Sequence, residues 1–386
     1  MFSSRSETPG EEHPLARVRG ELVRAGRPVL DWSHGNPTTA DLAWPPRELV
    51  TAFANEAWLR YEPAPLGLAH AREIVARHLR DEELDVSPSD VVLVASTSEA
   101  YASLFKILCD AGDNVLVPAP SYPLFDELAR WEGIELRPYR LAFAGEWHLD
   151  LASVRAACNE RTRAILVVSP NNPTGSCLAA SDLEALAELG LPVLADEVFA
   201  KAPARDQNRT LSARSVLAHA PHVVLDGLSK RLALPQVKLG WILLGGPASF
   251  REELRARLEF ALDAQLALSA PVQHALPELL AREEEARAVL TDRLRASELA
   301  VREECAGSSI SVLPREAGWS LVLRVPTLDD SRLAVRLLER HGVYALPGTF
   351  FGFAQQGYLV VSLLVEPADA RRAARALIAI LDEDDA

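Results

Sequence analysis

One lysine of this chain lies directly after a run of residues typical of a buried strand. Lys230 stands in the pentapeptide Leu228-Ser229-Lys230-Arg231-Leu232, which follows the apolar run at 222–227. An amine at the end of a buried strand loses water, which lowers its pKa and makes it a competent nucleophile toward a carbonyl group. Most lysines are solvated surface charges, so this position is informative only together with other polar groups.

Polar and aromatic residues also follow other predicted strands, at the edge where open α/β sheets bind their ligands. They are Ser96, Thr97 and Ser98 after the first strand, Tyr122 after the second, Asn172 after the third, and Asp196 with Phe199 after the fourth. A hydroxyl-rich turn at a helix start favours a phosphate, although an ordinary helix cap explains the same residues. The tyrosine could cover a planar ligand or simply pack, and the asparagine loop could be a plain loop. A buried carboxylate needs a partner, which a cationic ring nitrogen would supply.

These features together are the parts that a pyridoxal phosphate site requires: a phosphate cradle, an aromatic ring, an amide, a buried acid and a lysine. A dinucleotide site would need the motif G-x-G-x-x-G between a strand and a helix, and the sequence lacks it. We therefore predict pyridoxal 5'-phosphate as the cofactor.

The elements that must position these residues alternate along the middle of the chain. Strands are predicted at 90–95, 114–118, 164–169, 192–196, 223–226 and 239–244, and helices at 98–109, 122–132 and 181–189. Short apolar runs alternating with amphipathic stretches are typical of βα units, and continuous runs such as 164–168 suit strands covered on both faces. The fold class predicted is therefore α/β with a mainly parallel sheet.

The length of 386 residues exceeds the size at which one core keeps growing, so two unequal domains are expected. We predict an N-terminal segment (1–41) that packs with the small domain, a large cofactor-binding domain (42–265) and a small C-terminal α+β domain (266–386). In the small domain, strands are predicted at 319–325 and 357–364 and helices at 331–341 and 368–382.

The composition disfavours several classes of partner. Forty Lys and Arg against 54 Asp and Glu give a formal charge of -14, which repels nucleic acid and anionic membranes. The four cysteines lie far apart without metal-ligand spacing, so no metal site is predicted. No apolar run approaches the roughly 18 residues that cross a bilayer, and residues 1–15 lack the apolar core of a signal peptide. We expect a cytoplasmic protein.

From about Leu30 to its C-terminus the chain resembles the class I/II aminotransferases, which are aspartate aminotransferase-like pyridoxal-phosphate enzymes of fold type I. The motifs that carry the resemblance are Asn171-Asn172-Pro173-Thr174-Gly175, Asp196-Glu197-Val198-Phe199, and Ser229-Lys230 with Leu239-Gly240-Trp241. The resemblance implies a large domain with a mainly parallel seven-stranded sheet flanked by helices. It also implies a homodimer whose active sites are shared between the subunits.

The resemblance also implies roles for particular residues. Lys230 looks like the lysine that forms a Schiff base with the cofactor and later acts as the base, and Asp196 like the acid that pairs with the pyridinium nitrogen. The remaining roles fall on Asn172 at the ring's phenolic oxygen, Tyr122 as the stacking residue, Ser96, Thr97 and Ser98 at the phosphate, and Tyr61 at the phosphate of the neighbouring subunit.

Three positions depart from the family pattern. Phe199 stands where a tyrosine donor is common, and Lys238 where an arginine usually holds the phosphate, so the bidentate fork is lost. Val360 stands where an arginine usually binds the substrate carboxylate. Either Gly35, Asn36 or Arg324 takes over that contact, or the substrate carries no carboxylate there.

The main hypothesis is thus an aminotransferase that moves an amino group between an amino acid and an oxo acid or other carbonyl compound. The alternative is a repurposed enzyme of the same fold, such as a lyase, decarboxylase, cyclase or amino acid oxidase, which Val360 and Phe199 favour. A noncatalytic scaffold is the third class, and the intact Lys230 and Asp196 disfavour it.

Overall fold

The computed structural model of the protein describes residues 2–7, 13–204, 211–266 and 268–383. Its strands are β1 (Leu30–Asp31), β2 (Val91–Val94), β3 (Asn114–Ala119), β4 (Glu135–Phe143), β5 (Trp147–Leu149), β6 (Thr162–Val168), β7 (Val193–Asp196), β8 (His222–Gly227), β9 (Gly240–Gly245), β10 (Ser311–Val312), β11 (Ser320–Arg324), β12 (Val343–Tyr344), β13 (Leu346–Pro347) and β14 (Tyr358–Ser362).

The α-helices are α1 (Pro14–Arg24), α2 (Ala69–Asp81), α3 (Thr97–Leu108), α4 (Leu124–Glu132), α5 (Leu151–Ala157), α6 (Ala180–Ala187), α7 (Ala213–Val216), α8 (Leu228–Arg231), α9 (Ala248–Asp263), α10 (Ala270–Leu280), α11 (Glu283–Cys305), α12 (Asp330–His341) and α13 (Pro367–Asp382). Short 3-10 helices occur at Ser4–Ser6, Pro37–Thr39, Arg47–Phe53, Glu56–Leu59, Pro88–Asp90, Pro235–Val237 and Gly348–Phe351.

Eight strands form the large sheet, in the order β2-β9-β8-β7-β6-β3-β4-β5. The strands from β8 to β4 in this order run parallel, whereas β9 is antiparallel to both of its neighbours and β5 is antiparallel to β4. The parallel strands therefore end at one edge of the sheet, and the loops after β6, β7 and β8 meet there.

Both faces of this sheet are covered. In β6, Ile165 and Val167 belong to one apolar cluster, and Leu166 and Val168 belong to another on the opposite face. Every residue of β7, β8 and β9 is buried. Helices on both faces leave no polar side to the strands, which is why their sequences are continuous apolar runs.

A second sheet, with the order β10-β11-β14-β13, is antiparallel throughout. Leu359 and Val361 of β14 share an apolar cluster with Leu290 of α11 and Leu377 of α13. The N-terminal segment joins this smaller part of the molecule, because β1 pairs in parallel with β12 and α1 packs against α12.

The structure confirms the α/β class and most of the predicted elements. The six predicted strands correspond to β2, β3, β6, β7, β8 and β9, within two residues at each end. The large sheet has eight strands where seven were expected, because Trp147–Leu149 pairs with β4 as an additional antiparallel edge strand. The predicted boundary between residues 265 and 266 falls between α9 and α10, and the domain limits stay predictions.

Among the described residues, no helix combines the length and the apolar character that crossing a bilayer requires.

Candidate active site

A cavity of about 250 Å³ lies at the carboxyl ends of β6, β7 and β8. Its wall includes most of the site residues predicted from the sequence, namely Ser96, Thr97, Ser98, Tyr122, Asn172, Asp196, Phe199, Lys230 and Lys238. Because these residues come from the ends of β2, β3, β6, β7 and β8 and from the segment before β9, the cavity exists only when the sheet is assembled. The structure thus brings together residues that lie more than a hundred positions apart in the sequence.

Lys230 presents its amino group to this cavity from the one-turn helix α8. The Nζ atom lies 4.7 Å from the centre of the Trp319 ring and 5.6 Å from that of Phe199. Burial lowers the pKa of the amine, and the nearby charge of Asp196 only partly offsets this. Within the described part of the chain, the amine has no hydrogen-bond or ion-pair partner, so it is available to a ligand.

Asp196 ends β7 and is buried, with 6% of its surface exposed. Its Oδ2 accepts a hydrogen bond of 2.5 Å from the Tyr101 hydroxyl, and its Oδ1 accepts one of 3.1 Å from the Val198 amide. Burial raises the pKa of Asp196 to about 6, against the opposing effect of the two hydrogen bonds. A buried carboxylate held in this way is suited to receive a cation from a ligand in the cavity.

The start of helix α3 forms another wall. Ser96 is the N-cap residue, and its Oγ accepts a hydrogen bond from the Glu99 amide. The ordinary helix cap that the sequence also allowed is therefore present. The hydroxyl groups of Thr97 and Ser98 make no hydrogen bond to described residues, and both side chains line the cavity. The free amides of the first turn and the positive end of the helix dipole leave room for an anion here.

Two glycines allow the backbone to approach closely beside the start of α3. A Cβ atom on Gly227 would lie 2.7 Å from Cα of Gly240, and one on Gly240 would lie 3.0 Å from the Asp226 carbonyl oxygen. The ends of β8 and β9 could not pair at this distance with larger residues. Both glycines line the cavity, so the pairing also shapes its floor.

Tyr122 and Asn172 stand on the remaining sides. Tyr122 is 42% exposed, and its ring meets the Phe125 ring edge to face with centroids 5.9 Å apart. The side-chain amide of Asn172 has no hydrogen-bond partner among the described residues, whereas the neighbouring Asn171 is buried and accepts a hydrogen bond from the Thr174 hydroxyl. Of the two asparagines, Asn172 is therefore the one that is available to a ligand.

Lys238 lies at the rim of the cavity, exposed to solvent. Its backbone adopts the left-handed conformation, with φ of 53°. Non-glycine residues in this conformation are uncommon, and strained ones cluster at ligand-binding and active sites. The side chain can supply a point charge near the start of α3.

Four predicted residues do not line the cavity of this single chain. Tyr61 is 74% exposed in the loop before α2. Gly35 and Asn36 are exposed in the loop after β1, where Asn36 Oδ1 accepts hydrogen bonds from the amide and hydroxyl of Thr38. Arg324 ends β11 opposite Tyr358, five residues beyond Trp319, and its side chain is exposed.

Val360 lies within an apolar cluster of the smaller sheet. It is 3% exposed and belongs to a cluster with Leu313, Val322, Phe351 and Phe353. Its strand neighbours are Val322 in β11 and Leu346 in β13. The members of this cluster are all apolar or aromatic, so none of them can bind a carboxylate through a side-chain charge.

Two residues of the site were not singled out from the sequence. Tyr101 lies inside helix α3, and Trp319 immediately precedes β11. Position alone gave no signal for Tyr101, since neither its burial nor its contact with Asp196 follows from helical spacing. Trp319 was assigned to a strand, and its ring reaches Lys230 because the residues just before it, 316–318, hydrogen-bond to the loops after β6 and β7.

Residues 27–377 match the family model for aminotransferase class I and II. Nicotianamine aminotransferase B of Hordeum vulgare is 27% identical to this chain, over 85% of the chain and 63% of that relative. Glutamate-pyruvate aminotransferase AlaA of Escherichia coli is 27% identical, over 88% of the chain and 87% of the relative. The solved structure of alanine aminotransferase from Pyrococcus furiosus superimposes with a TM-score of 0.89 at 24% identity, covering 99% of this chain and 100% of that one. The chain therefore belongs to the aminotransferase class I and II family, and it is a transaminase.

Proposed function

We propose that this transaminase binds pyridoxal 5'-phosphate in the cavity between Lys230 and Asp196 and uses it to exchange amino groups between an amino acid and an oxo acid or other carbonyl compound. The observation that supports this best is that a partly desolvated amine without a partner and a buried carboxylate line the same cavity. Burying either group without a partner costs free energy. A ligand aldehyde would react with the amine, and a cationic ring nitrogen would pair with the carboxylate.

The other walls fit the remaining parts of such a ligand. The start of α3, with Ser96, Thr97 and Ser98, together with Lys238, would hold a phosphate. The Asn172 amide would donate to a ring oxygen, and Tyr122 would cover the ring. Phe199 has no donor, so the ring oxygen would receive its hydrogen bond from Asn172 alone among these neighbours.

When bound, the cofactor supplies an aldehyde that takes up amino groups and an aromatic ring that accepts electrons. Lys230 Nζ is the base that this chain offers for the α-proton of the amino substrate. Because burial lowers the pKa of its amine, more of it is neutral near pH 7 than in an ordinary lysine, which favours both proton transfer and attack on a carbonyl.

Asp196 would hold the proton of the ring nitrogen. Its pKa of about 6 means that it is largely ionised at neutral pH even without a ligand, and a cation in contact would lower that pKa further. Tyr101 and Val198 hold the carboxylate in place, because the Tyr101 hydroxyl donates to Oδ2 and the Val198 amide donates to Oδ1. Each oxygen can accept a further hydrogen bond, which the ligand would supply.

We also propose a homodimer with shared active sites. Tyr61 is exposed on this chain together with Trp58 and Leu59, which are 40% and 68% exposed. Large apolar side chains clustered on a surface are typical of protein interfaces. In the dimer, Tyr61 would reach the phosphate of the neighbouring subunit. We further propose a cytoplasmic location, because the four cysteines are free thiols, as is usual in a reducing compartment.

The substrate carboxylate, where there is one, would be bound without an arginine at position 360. The loop of Gly35 and Asn36 is the best placed of the proposed groups, because the neighbouring His34 carbonyl accepts a hydrogen bond from the Ser362 hydroxyl, two residues beyond Val360. Arg324, at the far end of β11 from Trp319, is less well placed.

A single half-reaction tests the proposed function. The purified, cofactor-loaded protein is mixed with one amino donor at a time, without an acceptor, and the bound cofactor is extracted and identified by mass spectrometry. A transaminase should convert the cofactor to pyridoxamine phosphate in one equivalent per site and release the oxo acid. Release of ammonia, carbon dioxide or hydrogen peroxide with the cofactor unchanged would contradict transamination and indicate a lyase, decarboxylase or oxidase.

A further inference from the structure

The residue after Lys230 is a buried arginine with three carboxylate partners. Arg231 is 3% exposed. Its Nη2 lies 2.8 Å from Oδ2 of Asp226, and its Nη1 lies 2.6 Å from Oε1 of Glu82 and 2.9 Å from Oε1 of Glu283. One guanidinium group therefore joins three acidic side chains in the interior of the protein.

The three acids come from three different elements. Asp226 lies in β8, Glu82 follows the last residue of α2, and Glu283 is the first residue of α11. Because Arg231 and Lys230 are consecutive residues of the same helical turn, the contacts of Arg231 fix that turn against the sheet and against two long helices. A four-residue helix has little stability of its own, so its orientation depends on tertiary contacts such as these.

A second layer of contacts extends the network. Lys201 Nζ lies 2.8 Å from Oε1 of Glu82, and His78 Nε2 lies 2.6 Å from Oε2 of Glu283. Lys201 comes two residues after Phe199, which lines the cavity. Through Lys201 and Arg231, Glu82 thus links the segment of Phe199 to the segment of Lys230. Both Phe199 and Lys230 line the cavity.

The two glutamates of the network stay ionised because cationic side chains lie next to them. Burial alone would raise the pKa of Glu283, but the hydrogen bond from His78 and the charge of Arg231 lower it to about 2. The pKa of Glu82 is lowered in the same way by Arg231 and Lys201, although burial opposes this. Since Arg231 and Lys201 already occupy these carboxylate oxygens, the group of His78, Glu82 and Glu283 serves as an ion-pair network and not as a metal site.

We propose that Arg231 and Glu82 are positioning residues for the reaction, which hold the turn of Lys230 so that its amino group points into the cavity beside Trp319. They touch neither cofactor nor substrate and act through Lys230. The proposal rests on the proposed role of Lys230, but it concerns the direction and surroundings of the amine, which can be measured without turnover.

Charge-conserving variants test the positioning role of Arg231 and Glu82 without leaving the buried acids unpaired. Arg231→Lys keeps the positive charge but loses the fork that reaches three carboxylates, and Glu82→Asp withdraws one carboxylate from Arg231 and Lys201. The matched control is Arg214→Lys, because the Arg214 side chain is only 8% exposed and pairs with Asp90 at 2.8 Å, away from the cavity. Thermal melting compares the loss of stability in all three.

The first readout is the labelling of Lys230 by a trace of acetic anhydride at a series of pH values, in the cofactor-free full-length protein. Peptide mass spectrometry compares it with the exposed Lys106 of the same chain. The second readout is kcat/KM of the cofactor-loaded enzyme. We expect both network variants to shift the apparent pKa of Lys230 upward, toward the value of a solvated lysine, and to lower kcat/KM by about 10-fold or more. Arg214→Lys should lose stability only.

The proposal is overturned if the network variants melt earlier, as the control does, while the labelling of Lys230 and kcat/KM stay within about twofold of the wild type. It is also overturned if Arg214→Lys shifts the labelling of Lys230 equally, because the effect would then be general loosening. Should Arg231→Lys fail to fold, Glu82→Asp decides alone, since it leaves Asp226 and Glu283 on Arg231. Failure of Lys230 to bind the cofactor at all would refute the proposed function and leave this labelling result standing separately.

Discussion

The hydroxyl of Tyr101 donates a hydrogen bond of 2.5 Å to Oδ2 of Asp196, and both side chains are buried. Burial and the charge of Asp196 raise the pKa of Tyr101, so the tyrosine stays protonated and remains a donor. This hydrogen bond stabilises the ionised form of Asp196, whereas burial favours the neutral acid. Tyr101 therefore supports the group that would bind the cofactor's ring nitrogen.

Removing the hydroxyl in Tyr101→Phe should raise the pKa of Asp196 and weaken the binding of pyridoxal phosphate. A hydrogen bond to a charged group contributes about 1.5–3 kcal/mol, so we expect the dissociation constant to rise by about 10-fold or more. Equilibrium dialysis of the cofactor at pH 7.5 measures this change.

The control for this variant is Tyr139→Phe. Tyr139 is also buried, and its hydroxyl donates a 2.9 Å hydrogen bond to the Leu166 carbonyl, outside the cofactor cavity. It should lose stability with little change in cofactor affinity. Equal affinities for Tyr101→Phe and the wild type would show that the bond to Asp196 does not matter for binding.

A second prediction concerns stability at alkaline pH. Glu197 is buried beside Asp196, and its Oε1 accepts a 2.7 Å hydrogen bond from the Ala213 amide. Burial raises its pKa from 4.5 to about 8, so the folded protein holds this proton more tightly than the unfolded chain does. The resulting stabilisation is fully present below about pH 4.5 and is lost as the pH rises through 8.

The variant Glu197→Gln should remove this pH dependence. Since each unit of pKa shift corresponds to about 1.4 kcal/mol, the variant should be more stable than the wild type by at least about 1 kcal/mol at pH 9, relative to their difference at pH 5. Urea unfolding of both proteins at the two pH values gives the comparison. A difference that does not change between pH 5 and pH 9 would mean that Glu197 is ionised throughout.

A third prediction concerns Val360. Because Val360 is 3% exposed among apolar and aromatic side chains, Val360→Arg would place a charge in apolar surroundings. We expect a loss of about 3 kcal/mol or more in the free energy of unfolding and no gain in activity with simple α-amino acids. Val360→Leu, which adds volume without charge, should lose clearly less. Improved kcat/KM with L-alanine in Val360→Arg would instead show that the arginine reaches the substrate site.

The central part of the fold was predictable from the sequence because its strands are buried on both faces. Runs such as Ala164 to Val168 have no polar residue at any position, and few structures besides a covered parallel strand suit them. Strand β4 and the edge strand β5 were missed, since Glu135–Phe143 contains Pro138 and mixes charged with apolar residues, and β5 has only three residues.

The same contrast applies to the site. Lys230, Asp196 and Asn172 follow strand ends, so sheet topology alone places them at one edge. The partners of Arg231 lie 149 residues away at Glu82 and 52 residues away at Glu283. No local pattern marks such contacts, because they depend on how α2 and α11 pack around the sheet.

The central claim is that Lys230 carries the cofactor, and one measurement tests it most directly. The cofactor-loaded protein is reduced with borohydride and digested, and the peptide that carries the added phosphopyridoxyl mass is sequenced by mass spectrometry. The chain has four lysines, Lys106, Lys201, Lys230 and Lys238, so the assignment is unambiguous. The account predicts the added mass on Lys230, in an amount close to one per chain. The added mass on another lysine, or its absence from a protein that has bound pyridoxal phosphate, would contradict the account.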